Sequence, residues 1–354
     1  MKDVTVLITA CGSNFMPGII KCFRNNGERN IRIIGCDVIE APYMTNFVDR
    51  YYRVPKCDEK EYVDDLIKIC IEEKVDVLFP NMSQELDIIR LRSTEFASVG
   101  VKIATTHKNT LSIANNKYRM YEAFRAADIP MPDFYKVSDK ATLEEALKEL
   151  GYPENDVCVK LAESSGSRGV RIISAKKTKT DVFLNEKPNS LYVSLEDMVS
   201  ILDGMENVPD MIAMRALPGC EYTVDLLADD GKVVYIAGRC NTVSSASIAQ
   251  ESIVEERQDA FVVCQKIVEL LELDGNIGFD FILDEDDRPV LTDINPRITA
   301  TVVLFLATGL NLPYMRVKQL LGEELPDICI NKGFKLIRKY DDVIVDSVGK
   351  RVEL

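Results

Sequence analysis

A chain of 354 residues carries 43 Lys and Arg against 57 Asp and Glu, a formal net charge of −14, with 46% apolar and 28% charged residues. That length exceeds one ordinary core and implies two or three domains of a globular protein, while acidic charge spread along the chain is repelled by phosphate backbones and argues against nucleic acid as a partner. The single histidine, His107, and ten irregularly spaced cysteines without a Cys-x-x-Cys pair exclude the common His-containing zinc sites and a Ser-His-Asp or Cys-His hydrolase.

Residues 1 to about 108 alternate strand and helix. VTVLITA reads as a buried strand, Met16 to Asn25 as a helix with Pro17 in its first turn, and IRIIGCD as a second buried strand. Val63, Leu66, Ile67 and Cys70 share a helical face, VDVLFP follows as a strand, and a helix from Ser83 leads to the strand VKIAT. Such a βαβ series predicts a parallel sheet covered by helices on both faces. The glycine turn CGSNFMPG with Asp37 ending the second strand resembles a dinucleotide site only superficially, because it is not Gly-x-Gly-x-x-Gly. Cys11, Cys36 and Cys158 fall in apolar runs, as small buried hydrophobes do in a reducing cytoplasm. Neither Val4 to Ala10 nor Val302 to Ala307 is long enough for a signal sequence or a membrane span, so a cytoplasmic protein without a membrane partner is expected.

Near residue 110 the pattern changes. Asn116-Lys117 opens a helix ended by a double-proline turn, and the strands DFYKV and VCVKL follow, separated by a helix that Thr142 and Glu145 could cap. ESSGSRGVRI is small, polar and glycine-interrupted between two strands, so its backbone N–H groups can wrap phosphate oxygens, with Arg168 and Lys160 adding charge. MIAMR, the turn LPG and EYTVDLL read either as an ordinary hairpin or as a connector on which a planar base could lie, with Glu221 suited to ribose hydroxyls. CNTVSSASIAQES reads as a mobile polar loop, Glu255 to Leu273 as a long helix, and Leu312 to Gly322 as the last clear helix.

The segment NIGFDFILDEDDRPVLTDINPR, residues 276–297, is the richest in chemistry. GFDFIL and VLTDIN alternate apolar with polar around an acidic connection, the signature of a β-hairpin. Asp293 and Asn295 share a face, and the simplest pairing sets Asp280 across from Asp293. Like charges facing across a ladder are destabilising, and a hard cation with oxygen ligands would resolve the conflict; a solvated acidic hairpin explains the same residues. Arg297, after Pro296, adds a guanidinium that can grip anionic oxygens.

Together these blocks resemble the ATP-grasp superfamily, most closely one synthetase unit of the carbamoyl-phosphate synthase large subunit. The resemblance rests on NKYRMYEAFRAADIPMP, VCVKL with SSGSRGV, ALPGCEYTVD and TDINPR in that order. It implies an α/β and α+β protein: a parallel-sheet pre-ATP-grasp domain over residues 1–109, a two-lobed ATP-grasp domain over 110–322 (a lid lobe at about 130–212 and a larger lobe with the metal site at about 213–322), and a C-terminal extension over 323–354. It further implies that Lys117 and Lys160 hold ATP phosphates under a loop of Ser165, Gly166, Ser167, Arg168 and Gly169, that Arg215, Ala216 and Leu217 receive adenine, and that Glu221 contacts ribose. Asp280, Asp293 and Asn295 would hold one or two Mg²⁺, with Mn²⁺ as a substitute. Arg297 and Arg239 would orient a carboxylate.

The implied activity is an ADP-forming ligase that makes an acyl phosphate from a small-molecule carboxylate for attack by an amine or similar nucleophile, in a chain that could form a homodimer. The alternatives are a carboxyphosphate-forming enzyme, a silent nucleotide-binding module, and an NAD-dependent oxidoreductase. The sequence departs from the family at Arg215, at Asp293 where glutamate is more frequent, and in the acceptor segment SSASIAQ.

Overall fold

Short runs of Val, Ile and Leu, too apolar to leave either face wet, build the first sheet. In the computed structural model, which describes residues 1–106, 108–164, 168–245, 248–339, 342–347 and 352, these runs are β1 (Val4–Ile8), β2 (Ile31–Asp37), β4 (Val77–Phe79) and β5 (Lys102–Ile103). An additional strand, β3 (Arg50–Arg53), lies at the edge. Its sequence RYYR lacks the Val/Ile signature because an edge strand is half exposed. The strands are parallel in the order β3-β2-β1-β4-β5, joined by α1 (Met16–Arg24), α2 (Tyr62–Glu73), α3 (Ser83–Leu91) and α4 (Ser93–Ser98). Phe23 of α1 meets Phe79 of β4 edge to face at 5.0 Å in one core, and Leu66 of α2 packs with Leu7 and Leu78 in another.

After α5 (Lys108–Ala114), α6 (Lys117–Ala126) starts where Asn116 accepts a hydrogen bond from the Arg119 N–H. The next sheet holds β6 (Phe134–Val137), β7 (Val157–Leu161), β8 (Arg171–Ile173), β9 (Tyr192–Val193) and β10 (Met211–Arg215), in the order β6-β10-β7-β8-β9. α7 (Lys140–Glu149), α8 (Lys179–Asn185) and α9 (Leu195–Asp203) intervene. The cap of α7 is not the expected Thr142–Glu145 pair: Asp139 is the N-cap and Thr142 closes the box, since the helix begins three residues earlier.

A third sheet contains β11 (Glu221–Asp229), β12 (Lys232–Ser245), β13 (Ile248–Val254), β14 (Gly275–Leu283), β15 (Pro289–Asn295) and β16 (Lys335–Ile337), in the order β15-β14-β11-β12-β13-β16. α10 (Gln258–Leu270), α11 (Val303–Leu306) and α12 (Leu312–Leu321) accompany it. The expected mobile loop over 240–252 is instead two antiparallel strands, paired Cys240↔Ile253 through Ser245↔Ile248 with register shifts near Val243. Residues 246 and 247 of the acceptor segment lie outside the described residues. β10 and β11 belong to different sheets, so the LPG turn is a connector and not a hairpin bend. The architecture is thus the expected one, a parallel α/β sheet followed by antiparallel-sheet lobes.

Two compact units emerge: residues Met1–Ser112, Tyr222–Asp280 and Ile294–Leu354 in one, and Ile113–Glu221 with Phe281–Asp293 in the other. In the first, Arg338, next to β16, donates to the Ala249 and Ala300 carbonyls at 2.8 and 2.6 Å. In the second, Val137, Leu143, Leu147, Val159, Ile173 and Ala213 form the core.

Candidate functional site

In the second unit, two buried ammonium groups converge on the end of β15. Asn116 caps α6 and donates to Glu163 at 2.8 Å, which sets Lys117 in the first turn facing inward. Lys117 is only 6% exposed; its Nζ lies 3.2 Å from Asp293 Oδ1 and donates to the Ser164 carbonyl at 3.2 Å. Lys160, 7% exposed, points inward from β7 and donates to the Thr292 carbonyl at 3.2 Å. Burying an ammonium is costly without acceptors around it. Two such groups beside Asp293 and Thr292 make a locally cationic spot in an acidic chain, suited to anionic oxygens.

The neighbouring pieces of this unit are ordered by their own bonds. Arg215, at the end of β10, pairs with Glu285 at 2.5 Å, so its guanidinium is directed to the acidic connection of the hairpin. The Ala216 N–H donates to the Asp156 carbonyl at 2.8 Å and the Gly219 N–H to the Leu283 carbonyl at 3.0 Å, which fixes the connector around a half-buried Leu217. An adenine edge at this connector would therefore use backbone groups other than the Ala216 N–H. Glu221 is exposed at the start of β11, and Arg168 is exposed. Gly169 has φ +68° and a Cβ there would fall 2.4 Å from Leu161 Cγ, so glycine is required where the loop presses on β7. Ser165, Gly166 and Ser167 lie outside the described residues.

In the first unit a chain of hydrogen bonds runs through eight side chains. Asp225 and Arg239, 2% and 4% exposed, form a buried ion pair at 3.2 Å, and Thr299 Oγ1 donates to Asp225 at 2.6 Å. Arg239 also donates to Asn241, whose Nδ2 donates to Thr223 Oγ1 at 3.1 Å. Thr223 donates to Asp280 Oδ1 at 2.9 Å, Asn295 Nδ2 donates to Asp280 Oδ2 at 2.8 Å, and Arg297 donates to Asn295 Oδ1 at 3.1 Å. Arg297 reaches further, to Ser83 Oγ at 3.4 Å and the Ile298 carbonyl at 3.0 Å. Asp280 and Asn295 thus face one another on neighbouring strands. Arg239 is linked to Asp280 through Asn241 and Thr223. The donor set is all oxygen and amide, which fits a hard cation such as Mg²⁺ and not a soft metal. Among the described residues no group of three His, Cys, Asp or Glu could hold a metal ion alone, so a cation here would draw further ligands from Asn295, water and phosphate oxygens.

Thr223, Asp225, Asn241 and Thr299 were not foreseen. The available signal was Thr223 and Asp225 at alternate positions of an otherwise apolar strand, since polar residues on a buried face need partners there. At the glycine turn, Asp37 Oδ2 accepts from the Gly12 N–H at 2.9 Å and Oδ1 from the Val38 N–H at 2.7 Å. Its carboxylate is spent on closing the turn and not turned outward to a ribose, which removes the observation that suggested NAD.

The family described as ATP-grasp in the biosynthetic pathway with Ter operon matches residues 207–338, and the PylC-like N-terminal domain family matches residues 6–104. Over residues 207–338 the chain thus resembles the ATP-grasp superfamily. It is 22% identical over 315 residues to the carbamoyl phosphate synthase arginine-specific large chain of Halalkalibacterium halodurans, covering 86% of this chain and 27% of that one. It spans about a quarter of the length of this relative and of the carbamoyl phosphate synthase large chain of Clostridium acetobutylicum. The ATP-grasp fold is shared with a biotin carboxylase domain dimer of Hydrogenobacter thermophilus in complex with MgADP, ADP and bicarbonate (TM-score 0.68, 16% identity, 94% of this chain and 73% of that one). It is also shared with an L-amino acid ligase of Bacillus licheniformis (TM-score 0.63, 14% identity, 91% and 75%). Among the described residues no helix is long and apolar enough to cross a membrane.

Proposed function

We propose that this protein is an ATP-dependent, ADP-forming ligase that activates a carboxylate as an acyl phosphate for attack by an amine or similar nucleophile. The observation that carries the assignment is the pair of buried lysines, Lys117 and Lys160, gathered on the last residues of β15, two positions from Asn295. These cations would hold the triphosphate, the connector around Arg215, Ala216 and Leu217 would seat the base, Glu221 would meet the ribose, and residues 165–169 would cover the phosphates against water.

Asp280, Asp293 and Asn295 would hold one or two Mg²⁺, for which Mn²⁺ could substitute through the same oxygen ligands; when bound, the metal neutralises charge on the phosphoryl group. Arg297, fixed by Asn295 and the Ile298 carbonyl, would orient the carboxylate, one oxygen of which attacks the γ-phosphorus as the bond to ADP breaks. The nucleophile then adds to the acyl carbon and phosphate leaves. Arg239 would serve by keeping Asp280 in place.

The test is an ADP-release screen over small carboxylates with hydroxylamine present. A carboxylate-dependent release with a matching yield of hydroxamate is expected, and ADP release indifferent to every carboxylate would overturn the assignment. The likeness to carbamoyl phosphate synthase favours one second reading, activation of bicarbonate to carboxyphosphate. Bicarbonate-dependent ADP release without hydroxamate would select it.

A further inference from the structure

In an open parallel sheet, ligands gather beyond the carboxyl ends of the strands where the strand order reverses. In the order β3-β2-β1-β4-β5 that point lies between β1 and β4. The chain leaves β1 at Thr9 and leaves β4 through Asn81 and Met82 into Ser83, the first residue of α3. Glu85 holds this junction shut: it accepts hydrogen bonds from Thr9 Oγ1, from the Asn81 N–H at 2.7 Å and the Met82 N–H at 2.8 Å, and from the Tyr62 hydroxyl. The backbone of Asn81 is therefore rigid and the helix N-terminus is already occupied by a carboxylate.

The Asn81 side chain stands out against this order. It is 5% exposed, yet neither Oδ1 nor Nδ2 has a hydrogen-bond partner among the described residues. A buried amide left in that state forfeits its hydration with nothing in return, and a leucine of similar size would avoid the cost. Two residues away, Ser83 Oγ accepts from Arg297 Nε at 3.4 Å, so the guanidinium assigned above to the carboxylate is anchored at the same strand ends, within the same unit.

The geometry points to this crevice as the seat of the carboxylate substrate, and to that substrate being an amino acid: its carboxylate lies on Arg297, and its amino N–H groups are received by Asn81 Oδ1. An asparagine amide offers one acceptor and two donors, so it also meets a carboxylate or carbonyl oxygen beside that nitrogen. A plain carboxylic acid would satisfy Arg297 and leave Asn81 Oδ1 unpaired, and a site built to bond an N–H discriminates strongly against ligands lacking it. The inference rests on the ligase assignment for the role of Arg297, but not for the binding of the ligand.

The experiment is calorimetric titration of the full chain with each of the common L-amino acids and with the matching acids that lack the amino group, with and without Mg-ATP, for wild type and Asn81→Leu. At least one amino acid should bind, its deaminated counterpart at least tenfold more weakly. Asn81→Leu should lose at least tenfold in amino-acid affinity while keeping its ATP affinity and an equal or higher melting temperature, which a merely structural asparagine would not do. Ser83→Ala, which removes an acceptor of Arg297, should weaken the same amino acid several-fold and keeps the test decisive if Asn81→Leu fails to fold. No amino-acid binding, or equal binding by the deaminated acids, overturns the inference. So does unchanged affinity in Asn81→Leu, or in Ser83→Ala should the leucine variant not fold. Amino-acid binding that needs Asn81 but never elicits ADP would sink the ligase assignment and leave this site standing, whereas ADP release with simple acids that ignores Asn81→Leu would do the reverse.

Discussion

Asp280 accepts hydrogen bonds from Thr223 and Asn295, while its aromatic neighbours Phe279 and Phe281 are fully buried on the other side of the strand. Replacing it by asparagine removes the charge and leaves the packing. Asp280→Asn should thus abolish ATP turnover with less than about 1 kcal/mol change in denaturant stability, the range of a substitution that disturbs no core contact; full turnover would disprove the metal assignment. Asp225 is different, because its loss strands the buried guanidinium of Arg239. Asp225→Asn should cost about 3–5 kcal/mol in urea unfolding.

Glu85 supplies a pH signature: burial, the largest influence, holds its carboxyl above the usual 4.5 against the hydrogen bonds from Thr9, Tyr62, Met82 and Asn81 that pull it down. A raised folded value means the fold favours the protonated form, so this contribution to stability is full below pH 4.5 and fades as pH rises through the folded value. Glu85→Gln should flatten the decline of the urea midpoint above pH 4.5, and an unchanged slope would show that Glu85 does not titrate with folding. Lys117, Lys160, Asp280 and Arg297 could be singled out as candidates because each stands in a local pattern of strand, loop or helix start. Asp225, Asn241 and Asn81 were not, since their meaning depends on partners, or the lack of them, across strands distant in sequence.

Among the elements, the hairpin β14–β15 and the apolar strands of the first sheet could be read directly, since alternation and burial set their period. The polar run 240–252 could not. It carries too few apolar residues to declare a face, and it is held as strand by backbone pairing of β12 with β13 and of β13 with β16, which no local preference encodes. The start of α7 was misplaced for a related reason: several Ser, Thr and Asp candidates precede it, and only the geometry selects Asp139. Asp139→Ala should cost about 1 kcal/mol of stability in thermal unfolding, as loss of an N-cap does. Gly278 in β14 bears on the site itself. A Cβ there would lie 2.3 Å from Thr299 Cγ2, so Gly278→Ala should lower turnover by displacing Thr299, which donates to Asp225.

On the scale of the whole chain, the −14 charge is a background against which a polyphosphate must be bound by local cations, so affinity for ATP should depend on few residues and on the metal. NAD should give no thermal shift, since the Asp37 carboxylate that would read its ribose closes the glycine turn. The most direct test of the central claim is titration of ATP, with and without Mg²⁺, into wild type, Asp280→Asn and Lys160→Ala. Wild type should bind more tightly with the metal, Asp280→Asn should lose that metal-dependent gain while keeping the metal-free affinity, and Lys160→Ala should bind at least tenfold more weakly under both conditions. Identical Mg-ATP affinities in all three proteins would contradict the claim that these side chains hold the nucleotide and its metal.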